Sequence, residues 1–229
     1  MAKQIRILTV VFDTEIKYKE IPLFRGAVLK SLGDKADLLY HNHTGATTFR
    51  YSYPLIQYKR IHKKASIMAI GEGVGVVSQL LEDSCHFNFQ IGKEKVEMKI
   101  ETIDLYDNEI TLTEGTEFRY CLRGWHSLNS KNYVQYQNTE SIVGRITILE
   151  DVLIGNILSF LKGIGIHLNN NEQIKLHITD IIAQRNVVYK KVKLMAFDIE
   201  FKANISLPQY IGLGKSASVG CGVITRIMN

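Results

Sequence analysis

The order in which strand-like and helix-like segments follow one another constrains this chain more than any single motif. Residues 4–13, QIRILTVVFD, alternate and are β-branched, which predicts a strand. Residues 22–39, PLFRGAVLKSLGDKADLL, open on Pro22, suited to a first helical turn. Leu23, Ala27 and Leu32 follow at helical spacing before Gly33 interrupts. Residues 47–58, TTFRYSYPLIQY, read as extended. KRIHKK then turns the chain and ASIMAIG returns as a strand. GVVSQLLEDS predicts a short helix, and HFNFQI and KVEMKIETIDLY further strands. This is the β-α-β-β-α-β order of a ferredoxin-like unit.

The second half repeats the order without evident sequence identity. TEFRYCLRGW predicts a strand. A long apolar helix over roughly 140–163 carries Ile142, Val143, Ile146, Leu149, Leu153, Ile157 and Leu161. QIKLHITDIIAQ, VVYKKVKLMAFDIEFKANISL and SVGCGVITRI read as extended segments. A glycine-rich loop stands where the second helix of this half would be. The fold expectation is therefore α+β with tandem ferredoxin-like domains, residues 1–108 and 109–229.

The chain has 229 residues, enough for two cores of about 100 residues each. Its net charge of +5 comes from 28 basic and 23 acidic residues, a mild excess that permits a polyanionic partner without demanding one. Cys85, Cys121 and Cys221 are odd in number and far apart, which suggests buried thiols in a reducing cytoplasm. The N-terminal segment lacks a cleavage site of small residues, and no apolar run reaches about 18 residues. The expectation is a cytoplasmic protein without a membrane partner.

Four glycines, Gly212, Gly214, Gly220 and Gly222, fall in IGLGKSASVGCGVITRI, with Lys215, Ser216 and Ser218 between them. Bare backbone N–H groups can form an anion-binding concavity, and the lysine and hydroxyls would add phosphate contacts. The alternative is a structural turn with bulges leading into the last strand. The spacing is not that of a nucleoside-triphosphate P-loop, and GEGVG at 71–75 is not a dinucleotide fingerprint.

A twin ferredoxin-like order ending in this glycine loop resembles the RAMP superfamily of CRISPR-associated proteins. The resemblance extends to IPLFRGAVLKSL, the histidine-bearing connection after it and YSYPLIQYK. Within the superfamily the chain is similar to the CRISPR-repeat-processing endoribonucleases of the Cas-six type. That resemblance implies binding of CRISPR repeat RNA and a general histidine just after the first helix. It also leaves open other CRISPR effector subunits as partners, and a monomer or a homodimer.

The histidines bear on the chemistry. His41 and His43 lie in YHNHTG. In an extended segment they would face the same way, about 7 Å apart at about 3.3 Å per residue. Such a pair could act as general base and acid on one phosphodiester, since both titrate near neutrality. Solvated loop histidines and two ligands of a metal are the alternatives, the latter needing a third ligand, for which His62 or a distant carboxylate is open. His177, in HITD, alternates with apolar neighbours, which favours a structural role.

The basic segments bear on binding. Lys59, Arg60, Lys63 and Lys64 cluster around His62, behind Tyr51, Tyr53 and Tyr58. Cations bind phosphates and tyrosines stack on unpaired bases, although a solvated hairpin tip fits equally. Arg185, Lys190, Lys191 and Lys193 offer a second basic surface. The combined expectation is a cofactor-free and metal-independent endoribonuclease that leaves 2′,3′-cyclic phosphate and 5′-hydroxyl ends. His41 and His43 would be its acid and base, and Tyr51 would orient the nucleophile. Lys30, Lys59 or Arg60 would steady the phosphate. Its rival is a non-catalytic RAMP subunit that grips guide RNA.

Overall fold

A computed structural model describes residues 2–32, 53–82, 86–189 and 192–228. The chain divides into two compact units. One comprises Gln4–Asn108 with Ser218–Gly220; the other comprises Met1–Lys3, Glu109–Ala217 and Cys221–Asn229.

The unit built on Gln4–Asn108 contains β1 (Ala2–Glu15), α1 (Ile21–Leu32), β2 (Ile56–Ile61), β3 (Lys64–Ile70), α2 (Gly73–Glu82), β4 (His86–Ile91) and β5 (Glu94–Thr111). Its sheet runs β2-β3-β1-β5-β4. The first four positions are the ferredoxin-like order, with β5 in the fourth strand's place and β4 added at the edge through a hairpin. Arg6 meets Asp107 and Asp13 accepts the Lys99 amide, so β1 and β5 run antiparallel. Helix α1 turns Ile21, Phe24, Ala27 and Val28 inward at helical spacing. Phe24 meets Phe12, Tyr58 and Phe89 edge-on, with centroids 5.7–5.8 Å apart.

The other unit contains β6 (Phe118–His126), α3 (Ser130–Asn138), α4 (Ile142–Gly163), β7 (Leu176–Tyr189), β8 (Val192–Ala203) and β9 (Val223–Arg226). Its sheet order, β7-β8-β6-β9, is again ferredoxin-like. A 3-10 turn at Ala217–Val219 stands in place of the second helix. Helix α4 starts where Ser141 Oγ accepts the Gly144 amide, and it buries Ile148, Leu149, Leu153, Ile157, Phe160 and Leu161. Ile142 and Val143 are exposed, so the apolar face begins a turn later than the sequence suggests.

Three expectations change. Helix α3 was not expected: its segment, SKNYVQYQN, buries only Tyr136 and so lacks an apolar stripe. Residues 187–207 are not one extended run, because β7 continues to Tyr189 and β8 starts at Val192 opposite it. Cys221 is half-buried, whereas Cys121 is buried as expected. The expected helical residues 33–39, the extended residues 47–52 and Cys85 lie outside the described residues. Among the described residues no helix is long and apolar enough to cross a membrane.

Candidate functional site

The β2–β3 hairpin rearranges the first basic cluster. Lys59 and Arg60 belong to β2, and the link is only His62 and Lys63, both at positive φ (48° and 71°). Positive φ at both central residues is the mark of a type I′ turn, which matches the twist of the strands it joins. Lys59, expected as an RNA or phosphate contact, is 1% exposed, on a strand covered on both faces, where Gln57 and Tyr58 are buried as well. Arg60 Nε donates to the Ile16 carbonyl at 2.6 Å, and its guanidinium lies 4.8 Å from the Tyr18 ring centroid. Lys64 pairs with Glu101. His62 and Lys63 remain exposed at the tip.

The glycine loop is held to β6 by backbone bonds. The Gly222 amide donates to the Gly124 carbonyl at 3.0 Å, and the Leu213 amide to the Gly222 carbonyl at 2.8 Å. A Cβ on Gly222 would stand 1.9 Å from the Leu213 carbonyl oxygen, and one on Gly212 would stand 2.9 Å from Ala217. Both glycines, expected as RNA contacts, are buried. Gly214, at φ +81°, leaves room for the Trp125 indole and Asn156 Oδ1, which hydrogen-bond each other at 2.9 Å. Gly220, at φ +80°, lies against Ile21. At each of the four glycines a Cβ would meet a neighbouring atom within 3.0 Å.

Lys215 is exposed in this loop. Its amide donates to the His126 carbonyl at 3.3 Å and its ammonium to the Leu128 carbonyl at 3.2 Å. His126 is buried, and burial followed by the Lys215 charge pushes its imidazole below the usual histidine range. Ser216 (φ 62°) and Ser218 are half-buried. Trp125, His126 and Asn156 escape sequence reading, because their partners come from distant segments.

The second basic surface is the end of the β7–β8 hairpin. Lys193 is exposed opposite Val188. Arg185 is half-exposed but engaged: one guanidinium nitrogen donates to both Asp198 oxygens at 2.7 and 2.8 Å. Asp198 also accepts the Gly124 amide at 2.7 Å, at the bulge that breaks the β6–β8 register. His177 is exposed and its Nδ1 lies 3.0 Å from Glu150, so it contributes to the surface and not the core. His41, His43, Tyr51, Lys190 and Lys191 lie outside the described residues.

Lys30 is the remaining expected contributor. It is exposed in the last turn of α1, the end at which the helix dipole favours a cation. Its ammonium donates to Gln90 Oε1 at 3.3 Å.

Comparison with known proteins ties both halves to one family. A solved structure described as the crystal structure of Cas6b superposes with a TM-score of 0.83 at 25% identity, covering 98% of this chain and all of the other. A second, described as the CRISPR RNA processing endoribonuclease Cas6b, gives 0.72 at 24%, again covering 98% and 100%. A third, Csf5, described as a type IV Cas6 crRNA endonuclease, gives 0.57 at 12% and shares the fold. An uncharacterised protein of Methanocaldococcus jannaschii, MJ0978, is 35% identical over 106 residues, 45% of this chain and 67% of that one. The family models for the Cas6b N-terminal domain and the Cas6b C-terminal domain match residues 3–109 and 112–227, so the chain belongs to the Cas6b family.

Proposed function

We propose that this chain, a CRISPR RNA processing endoribonuclease by family, cuts precursor transcripts within their repeats by metal-independent transesterification. The observation that carries the reading is the match of both domains to Cas6b, in a chain whose α1 carries an exposed cation, Lys30, in its last turn, shortly before a histidine pair in the sequence. One of His41 and His43 takes the proton of the ribose 2′-hydroxyl. The 2′-oxygen attacks the adjacent phosphorus in line and the bond to the 5′-oxygen breaks. The other histidine gives that departing oxygen a proton. The products are a 2′,3′-cyclic phosphate and a 5′-hydroxyl, with no net redox change. Lys30 opposes the charge that builds on the phosphate, and Tyr51 orients the nucleophile. Lys63, Lys193 and Lys215 hold flanking phosphates, being exposed ammonium groups on three separate loops or strands.

One incubation tests this: purified protein with the host's repeat RNA in EDTA, with product ends mapped. Cleavage should persist and leave the two ends named. Replacing the 2′-hydroxyl at the cut site by hydrogen should abolish cutting and leave binding. His41→Ala and His43→Ala should each slow single-turnover cleavage by about 10²–10⁴-fold. Loss of cutting in EDTA would overturn metal independence. Binding without any cutting would favour a subunit that only grips RNA.

A further inference from the structure

Lys30 is held by an unusual neighbour for a cation. Among the described residues, its side chain donates to one group, the amide oxygen of Gln90 on β4, 60 positions away in sequence. Strand β4 is the edge of its sheet, and Gln90 is exposed on it while Phe89 points into the core. Lys95 lies directly across the β4–β5 hairpin from Gln90 and is also exposed. Glu97 is two rungs further along, opposite Asn88. The amide thus stands between two lysine positions in a place where a carboxylate would be the ordinary partner.

An amide and a carboxylate do different things to an ammonium. Either one accepts a hydrogen bond and fixes the side chain's direction. Only the carboxylate also cancels its charge. Two other cations of this unit show the second arrangement, Arg6 with Asp107 and Lys64 with Glu101, whereas Arg60, like Lys30, donates to a neutral oxygen. We propose that Gln90 is a positioning residue that orients the Lys30 ammonium while leaving its full charge for a phosphate of the bound RNA. This rests on the role given to Lys30 under the proposed function. Lys95, across the hairpin, adds positive potential on the same side of the strand pair.

Single-turnover cleavage by Gln90→Glu, Gln90→Leu and Gln90→Asn, each alone and combined with Lys30→Ala, tests the proposal. Gln90→Glu gives Lys30 a charged partner, and the rate constant should fall about 10- to 100-fold. Gln90→Leu removes orientation and should fall less, while Gln90→Asn, which keeps the amide, should recover part of that loss. In the Lys30→Ala background none of the three should matter, because the group they act on is gone. RNA affinity should move less than the rate constant throughout. If Gln90→Glu costs as much with Lys30→Ala as without it, the effect is general repulsion of RNA and the proposal is wrong. It is also wrong if wild-type protein cuts and Gln90→Glu and Gln90→Leu cut equally fast, a result that leaves the nuclease reading intact. Wild-type protein that binds repeat RNA without cutting it overturns both.

Discussion

Gly222 tolerates no side chain. A Cβ there would sit 1.9 Å from a backbone oxygen, which cannot rotate away as a side-chain atom could. Gly214 is the milder case: its neighbours, at 2.8–3.0 Å, are side-chain atoms of Trp125 and Asn156. Both residues also sit at positive φ, 61° and 81°. Gly222→Ala should therefore destabilise its unit by more than about 2 kcal/mol, and Gly214→Ala by less. Thermal unfolding checks the order, at about 2–4 °C per kcal/mol for a domain pair of this size. His126 makes a second prediction. Its imidazole is depressed in the folded state, first by burial and then by Lys215, relative to an ordinary value of 6.5. The unfolded chain therefore binds this proton more readily. Stability should be flat above 6.5, fall as pH drops below it, and level off once the folded imidazole is also protonated. His126→Gln should lessen that loss, as read by denaturant unfolding at pH 7 and pH 5.

At the scale of elements, the β2–β3 turn places two non-glycine residues in the left-handed region, at a cost of roughly 1–2 kcal/mol each. Lys63→Gly should relieve about 1 kcal/mol of this and raise the melting temperature. The same change removes an exposed ammonium, so RNA affinity should fall and its salt dependence should flatten. Opposite signs for stability and binding would separate what the turn does for the fold from what it does for RNA. The elements legible in sequence are those with a strong period: β1 with its alternation, α1 and α4 with their apolar faces. Helix α3 was hidden because its residues are polar on nearly every side. The break between β7 and β8 was hidden because Val187, Val188 and Tyr189 before it and Val192 after it all favour extended chain, with no glycine or asparagine between them to mark it. Legibility of the site divides along the same line. Exposed lysines such as Lys215 and Lys193 could be picked out by residue type. The burial of Lys59 and the contacts Trp125–Asn156 and Lys30–Gln90 depend on which segments meet, and local pattern carries no trace of that.

For the whole molecule, the division into units does not follow the chain from one end to the other. Residues Ser218–Gly220 belong with Gln4–Asn108, where a Cβ on Gly220 would stand 2.7 Å from Ile21. Residues Met1–Lys3 belong with the other unit, where the Lys3 ammonium donates to the Gly165 carbonyl at 3.0 Å. A fragment ending at Asn108 should therefore unfold at lower denaturant than the same unit within the full chain. Hydrogen exchange at Ile21 and Tyr58 would report the difference. The same division has a consequence for biosynthesis. The ribosome delivers Gly220 199 residues after Ile21, at about 5–20 residues per second. The unit built on Gln4–Asn108 must wait for residues 109–217 of the other unit to be read before its last packing partner arrives, so its final consolidation is tied to the synthesis of its neighbour and not to its own emergence.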